Sequence, residues 1–266
     1  MTPPRLSLSL TDTREKLLSL RGVLFDLDGV LTPTVDVHMR AWSLLFNAFL
    51  TENGVTEPYT DSDYFEFVDG KPRYDGVRSL LASRGLTLPD GDPSDDPSAL
   101  TICGLGNRKN AAFNETLAED GVTPYPGSID FLNFVVDAGL DVAVVTSSRN
   151  GEMVLAAAEL RDRFEVVVDG MVAAKEKLAG KPAPTTYEYA AQLLGYSAAE
   201  CVVIEDAQSG VQAGRAGNFG LVLGVDRGVG ADVLMNDGAD AVVQDLSELV
   251  PAPSSAAPTA ATGAAE

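Results

Sequence analysis

Six short apolar runs alternate with helical stretches along this chain, and that alternation limits what it can fold into more than any other feature. The runs are VLF (23–25), DVAVV (141–145), FEVVV (164–168), CVVI (201–204), GLVLG (220–224) and DAVV (240–243). Helical spacing fills SIDFLNFVVDAG (128–139), NGEMVLAAAEL (150–160), PTTYEYAAQLLG (184–195) and QSGVQAGRAG (208–217) between them. Such alternation requires right-handed crossovers, and so a parallel sheet with helices on both faces. The expected fold is α/β: a doubly wound, Rossmann-like parallel sheet. Because a long helical stretch separates the first run from the second, residues 35–125 are expected to form an inserted helical cap domain. The core is then residues 15–34 with 126–250. The Ala/Pro/Ser-rich tail, 251–266, is expected to be disordered.

The C-terminal ends of parallel strands share one edge, where ligands bind. VLF runs there into Asp26-Leu27-Asp28-Gly29. Period-two geometry sends both carboxylates to one side, and Gly29 lets the chain turn away. One carboxylate can act as nucleophile while the other handles a proton; a surface turn with two solvated Asp residues is the plain alternative. A calcium loop opening at Asp26 fails, since Val30, Leu31 and Val37 stand where a ligand, the invariant Gly and the closing Glu belong.

Three further strand ends point to the same edge. DVAVV is followed by Thr146-Ser147-Ser148-Arg149-Asn150, hydroxyls expected to open a helix whose amides favour an anion, which also suits an ordinary N-cap. After FEVVV and a linker comes Gly180-Lys181-Pro182-Ala183-Pro184, where the prolines aim a Lys suited to phosphate or carboxylate. CVVI is followed by Glu205-Asp206, a pair that a helix start would also favour. Four carboxylates around one mouth repel, each pair at 4 Å by about 4 kcal/mol at an effective dielectric of 20. Lys181 offsets part of this, and a hard divalent cation, Mg²⁺, suits the rest. Together these groups describe phosphoryl transfer through an aspartyl-phosphate.

In the insert, VDVHMRAWSLLFNAFL (35–50) places His38, Trp42, Leu45 and Phe49 on one helical face. His38, the sole histidine, reads on spacing alone as a packed structural residue or a site residue. DSDYFEFV (61–68), DGVRSLLASRG (75–85) and NRKNAAFNETLAEDG (107–121) are further expected helices. LPDGDPSDDPSA (88–99) is expected to be a mobile surface loop. Lys71 with Arg73, and Arg108 with Lys109, read as solvated charge or as ligand contacts beside glycines.

The 266 residues carry 19 basic and 39 acidic side chains, a net charge of −20 that argues against binding nucleic acid or an anionic membrane. There is no apolar run long enough to span a bilayer and no signal-like apolar segment at the start, so a cytoplasmic location is expected. Cys103 and Cys201 stand far apart without a CxxC, and Cys201 reads as a small core residue.

The ordered set DLDGV, TSS, GKPAP and IEDA resembles the haloacid dehalogenase-like phosphotransferases over roughly residues 21–250. That resemblance implies Asp26 as nucleophile, Asp28 as general acid/base, Thr146 as a phosphate-binding hydroxyl and Lys181 as the charge-balancing lysine. It implies Mg²⁺ held by Asp26, the Asp28 backbone carbonyl, Glu205 and Asp206. Asp28 marks the phosphotransferase branch rather than the true dehalogenases. LTPTVDVHMRAW, DGKPRYDG, NRKN, TSSRNG and GKPAP further resemble the β-phosphoglucomutase family. By that likeness Arg73 grips the phosphate not being transferred, with Gly70 and Lys71 on the same loop. His38 and Lys109 help to position the sugar and Asp28, and Ser147 and Asn150 contact phosphate or sugar. The implied enzyme is a monomer that interconverts β-D-glucose 1-phosphate and glucose 6-phosphate through a bisphosphate. The alternatives are a sugar-phosphate phosphatase of the same fold and a catalytically silent binding protein, the second of which should lack Asp26 or Asp28. Pro33, Asp69 and Ala207 depart from the pattern: an acidic, a basic and a hydroxyl residue are usual there.

Overall fold

The structure is a computed structural model, and it describes residues 7–252. From residue 253 onward the tail expected to be disordered lies outside the described residues. Six strands form one parallel sheet: β1 (Gly22–Phe25), β2 (Asp141–Val145), β3 (Val166–Val168), β4 (Cys201–Glu205), β5 (Leu221–Val225) and β6 (Ala241–Val243). Their order across the sheet is β3-β2-β1-β4-β5-β6, with Val23 paired to Val142 on one side and Val202 on the other. The chain winds outward from β1 in both directions, so the switch point lies between β1 and β4. The α/β, doubly wound arrangement expected from the alternation is the observed one.

Central strands in such a sheet are covered on both faces and read as unbroken apolar runs. β1, β4 and β5 are buried at every position. Alternate residues feed opposite layers: Val23 and Phe25 join Phe131 and Phe164 on one face, while Leu24 joins Tyr187 and Val203 on the other. Phe25 makes edge contacts at 6.1 Å with both Phe131 and Phe164. Each such side chain contributes roughly 1.5–3 kcal/mol on burial.

A third apolar cluster is built within residues 35–105, around Trp42, Phe46, Phe49, Leu80 and Leu105. Its helices are Thr34–Glu52, Arg73–Ser83 and Ile102–Asp120. Trp42 and Phe46 stack at 5.1 Å, one turn apart on the same face. Ala41 and Phe113, on the first and last of these helices, pack instead into the sheet-side core.

Several local expectations are corrected. The stretch 61–68 is not a continuous α-helix: a capping box at Thr60 and Asp63 starts one turn, which widens into a π-turn at Tyr64–Val68. The long helix begins at Ile102, five residues before the expected start, capped by Thr101 Oγ1 accepting from Gly104 N at 2.9 Å. The loop before it is tied down rather than free, because Pro89 and Asp90 carbonyls accept from Ile102 and Cys103 amides, and Asn107 donates to Pro93 and Asp95 carbonyls. The linker after β3 contains a helix, Gly170–Glu176, capped by Asp169, and Ala231–Asp237 is a further helix, too short at seven residues to show a period. Among the described residues no helix is long and apolar enough to cross a membrane.

Candidate active site

The switch point gathers the four strand ends into one cluster. Lys181 Nζ lies 2.5 Å from Asp26 Oδ1, 2.5 Å from Glu205 Oε1 and 3.1 Å from the Val145 carbonyl, so one ammonium ties the ends of β1, β4 and β2 together. Pro184 caps the following helix Thr185–Leu193, which presents Tyr187 to donate to Glu205 Oε1 at 2.8 Å. Glu205 Oε2 accepts from the Ala207 amide at 3.1 Å. Carboxylate oxygens of Asp26, Glu205 and Asp206 lie within 4.8 Å of one another. Gly29, at φ +84°, turns the chain where a Cβ would collide with the Asp206 carboxylate, so the turn and the acidic pair are matched.

Asp28 stands beside this group and is wired to the helical unit. Thr34 Oγ1 donates to Asp28 Oδ1, Thr146 Oγ1 donates to Oδ2 at 3.4 Å, and His38 Nε2 lies 3.3 Å from Oδ1. His38 Nδ1 is 2.5 Å from Lys109 Nζ, and that ammonium sits over the Phe113 and Trp42 rings at 4.7 and 5.0 Å. The one histidine is therefore aimed into the site rather than lost in the core.

The far side of the cavity is cationic. Arg73 donates to Asn110 Oδ1 at 2.6 Å, and Asn150 Nδ2 donates to the same oxygen at 2.7 Å. Ser147 Oγ donates to the Gly70 carbonyl at 2.7 Å, joining the β2 loop to the loop before helix Arg73–Ser83. The hydroxyls after β2 do not open a helix as expected: Thr146 and Ser148 accept from the Ser148 and Asn150 amides, and the helix begins only at Gly151. Lys71 lines the cavity, but its ammonium donates to the Glu66 and Phe67 carbonyls and to Ser79 Oγ. Arg108 turns away to the Pro97 carbonyl.

Charge decides what this cluster can hold. Burial pushes the Asp26 and Asp206 carboxyls well up, and for Asp206 neighbouring Asp69 adds most to that. Lys181 is held above the usual lysine range against burial, because Asp26 and Glu205 surround it. Burial also works against ionising Asp28, but His38 and Thr34 overcome it and hold the group at about 2. His38 and Lys109 are both pushed down, by burial first and then by the positive charge each faces. Ionising these strand-end carboxylates together thus needs more positive charge than Lys181 supplies, and their oxygen-only donor set fits a hard divalent cation.

Sequence reading missed several partners. Tyr187 gives no local signal, whereas Thr34, Asn110 and Arg149 stood inside quoted motifs without a role and Asp69 was visible as a departure from pattern. Asp69 lines the cavity with Arg149 and Tyr64 and is pushed up to about 7, chiefly by burial.

Residues 20–218 match the family model of haloacid dehalogenase-like hydrolases. The chain belongs to this family. A β-phosphoglucomutase of Mycobacterium tuberculosis is 47% identical over 253 residues, covering 90% of this chain and 96% of the relative. Hexitol phosphatase A of Escherichia coli is 31% identical over 196 residues, covering 74% and 79%. A solved β-phosphoglucomutase from Clostridium difficile superposes with a TM-score of 0.70 at 22% identity, covering 86% of this chain and 93% of its own, a likeness of fold. This haloacid dehalogenase-like chain is an enzyme with phosphotransferase activity.

Proposed function

We propose that this enzyme is an Mg²⁺-dependent β-phosphoglucomutase, interconverting β-D-glucose 1-phosphate and glucose 6-phosphate through an aspartyl-phosphate and a bisphosphate. The observation that carries the reading is that Arg73 and Asn150, joined through the Asn110 Oδ1 they both donate to, line the same cavity as Asp26. A phosphatase needs only the near end of its substrate, whereas a mutase must hold a phosphate at both ends. The 47% identity to the Mycobacterium mutase supports the same choice.

In this reading Asp26 carries the phosphoryl group. The sugar 6-hydroxyl attacks phosphorus and gives its proton to Asp28, while the Asp26–phosphorus bond breaks to leave the bisphosphate. After the intermediate turns over, Asp26 attacks the phosphorus at carbon 1, the bond to the anomeric oxygen breaks, and Asp28 returns its proton to that oxygen. Asp28 begins ionised, as the first step requires. Asp26, Glu205, Asp206 and the Asp28 carbonyl would hold Mg²⁺; Glu205 already accepts three hydrogen bonds and would use its remaining lone pair. When bound, the ion offsets the charge that builds on the transferring oxygens. Thr146 and Lys181 orient the near phosphate, and Arg73, Ser147 and Asn150 the distal one, while His38 and Lys109 position Asp28 and the sugar. Residues 35–125 act as a cap that excludes water, with Gly70 and Lys71 on its docking loop.

Product analysis with β-glucose 1-phosphate, with and without β-glucose 1,6-bisphosphate as primer, tests this. Primed formation of glucose 6-phosphate is expected. Free phosphate without glucose 6-phosphate would make the enzyme a sugar-phosphate phosphatase.

A further inference from the structure

Asp69 has no role in the mechanism above, yet its carboxylate is nine-tenths buried in the cavity beside Asp26, Asp28 and Asp206. It ends the π-turn Tyr64–Val68: its amide donates to the Tyr64 carbonyl at 2.9 Å, and the Tyr64 hydroxyl donates to its carboxylate. The loop is pinned to the sheet unit from both sides. Ser209 Oγ donates to the Asp69 carbonyl at 3.1 Å, and Ser147 Oγ to the Gly70 carbonyl at 2.7 Å. A Cβ on Gly70 would stand 2.9 Å from that of Ala207, so no side chain separates the two loops.

Asp206 lines the same cavity, 6% exposed and with no hydrogen-bond or ion-pair partner among the described residues. Lys181 is taken by Asp26 and Glu205, which leaves Asp206 without a counter-charge. Each unit thus brings one buried carboxylate to the seam, and the two repel unless a cation lies near both.

We propose that Asp69 couples closure of the helical unit to Mg²⁺ binding. With the ion on the strand-end carboxylates, Asp69 is attracted to it, directly or through one of its waters, and the loop docks. Without the ion, Asp69 and Asp206 oppose docking once both are ionised. The inference rests on the Mg²⁺ site proposed above. Linkage makes the effect reciprocal: whatever factor metal adds to closure, closure adds to metal affinity.

Titration of the full chain with MgCl₂ alone tests this, read by calorimetry for affinity and by small-angle scattering for closure. In the wild-type chain Mg²⁺ is expected to reduce the radius of gyration. Asp69→Asn keeps an acceptor for Tyr64 and removes the charge; it is expected to weaken Mg²⁺ binding roughly 5- to 20-fold, a usual span for coupled sites, and to show the same radius with and without the ion. Asp69→Ser should repeat both results, so a fault peculiar to the Asn variant would be seen. Wild-type affinity together with wild-type contraction in both variants would overturn the role of Asp69 alone. Absence of Mg²⁺ binding in all three proteins would overturn the metal site and this inference with it.

Discussion

Lys181 bears on stability as much as on chemistry. Among the described residues it is the one cation within hydrogen-bond reach of Asp26 and Glu205, and its side chain is 1% exposed. Removing one partner of a buried charged group leaves the others uncompensated, at a cost of about 3–5 kcal/mol. Lys181→Met is therefore expected to lose that much stability in urea unfolding without metal, and to regain part of it with Mg²⁺; a loss below ~1 kcal/mol would contradict the charge-balance argument. Arg73 carries a different prediction. Arg73→Ala should cut mutase turnover roughly 10- to 100-fold more than hydrolysis of a small aryl phosphate, as expected for a lost charged hydrogen bond; equal losses would mean Arg73 holds no distal phosphate. Asp26 and Glu205 could be found in the sequence because each ends an apolar run directly, and Lys181 because prolines follow it in GKPAP. Tyr187 could not, since it meets Glu205 only after folding. The commitment of Lys71 to carbonyls depends on a π-turn that no apolar period announces.

At the scale of elements, the loop from Asp69 to Pro72 is the hinge of the account. Gly70 sits at φ +66°, where a side chain is strained, and a Cβ there would meet Ser209 Oγ and Ala207. Gly70→Ala is expected to raise KM for the sugar phosphate and increase loss of phosphate to water, while Tm falls only by roughly 2–8 °C, as a change of about 1–2 kcal/mol confined to one loop would give. Unchanged KM would show that the loop does not have to dock. The elements themselves were unevenly legible. Strands β1, β4 and β5 are unbroken apolar runs because both sheet faces are covered, which made them plain. The start of helix Ile102–Asp120 was hidden because Gly104 and Gly106 are poor helix formers, kept where a Cβ would crowd Ala99 and Tyr74.

For the whole molecule, the strand order explains why residues from opposite ends of the chain share one site. β1 lies between β2 and β4, and the cavity at their ends is lined by His38, Arg73 and Lys109, which follow β1, as well as by Thr146 after β2 and Asp206 after β4. The parallel, doubly wound arrangement follows from alternation and handedness, and so it was readable; the order of the strands and the sharing of one cavity by Asp69 and Asp206 were not, because they depend on tertiary packing. The surplus charge predicts a pH dependence with a definite sign. Burial pushes Asp69 from about 3.9 in the unfolded chain up to about 7 in the folded one. The folded protein therefore keeps a proton that the unfolded chain releases, and metal-free stability falls as pH rises through that window, by on the order of a few kcal/mol. Asp28, held at about 2, acts in the opposite sense and loses its contribution only as pH falls from ~4 towards 2. Urea unfolding across pH 5 to 8, with EDTA or with Mg²⁺, checks this. The slope should be clear with EDTA and flattened with the ion, and a flat EDTA series would contradict the charge surplus.

On the proposed mechanism, Asp26 at the end of β1 is the residue that carries the phosphoryl group. Mixing the enzyme with Mg²⁺ and β-glucose 1,6-bisphosphate, quenching within one turnover and mapping the phosphoryl group by mass spectrometry tests it most directly. The predicted result is one phosphoryl group on the peptide containing Asp26, absent from Asp26→Asn. A phosphoryl group on any other residue, or steady turnover by Asp26→Asn, would contradict the account.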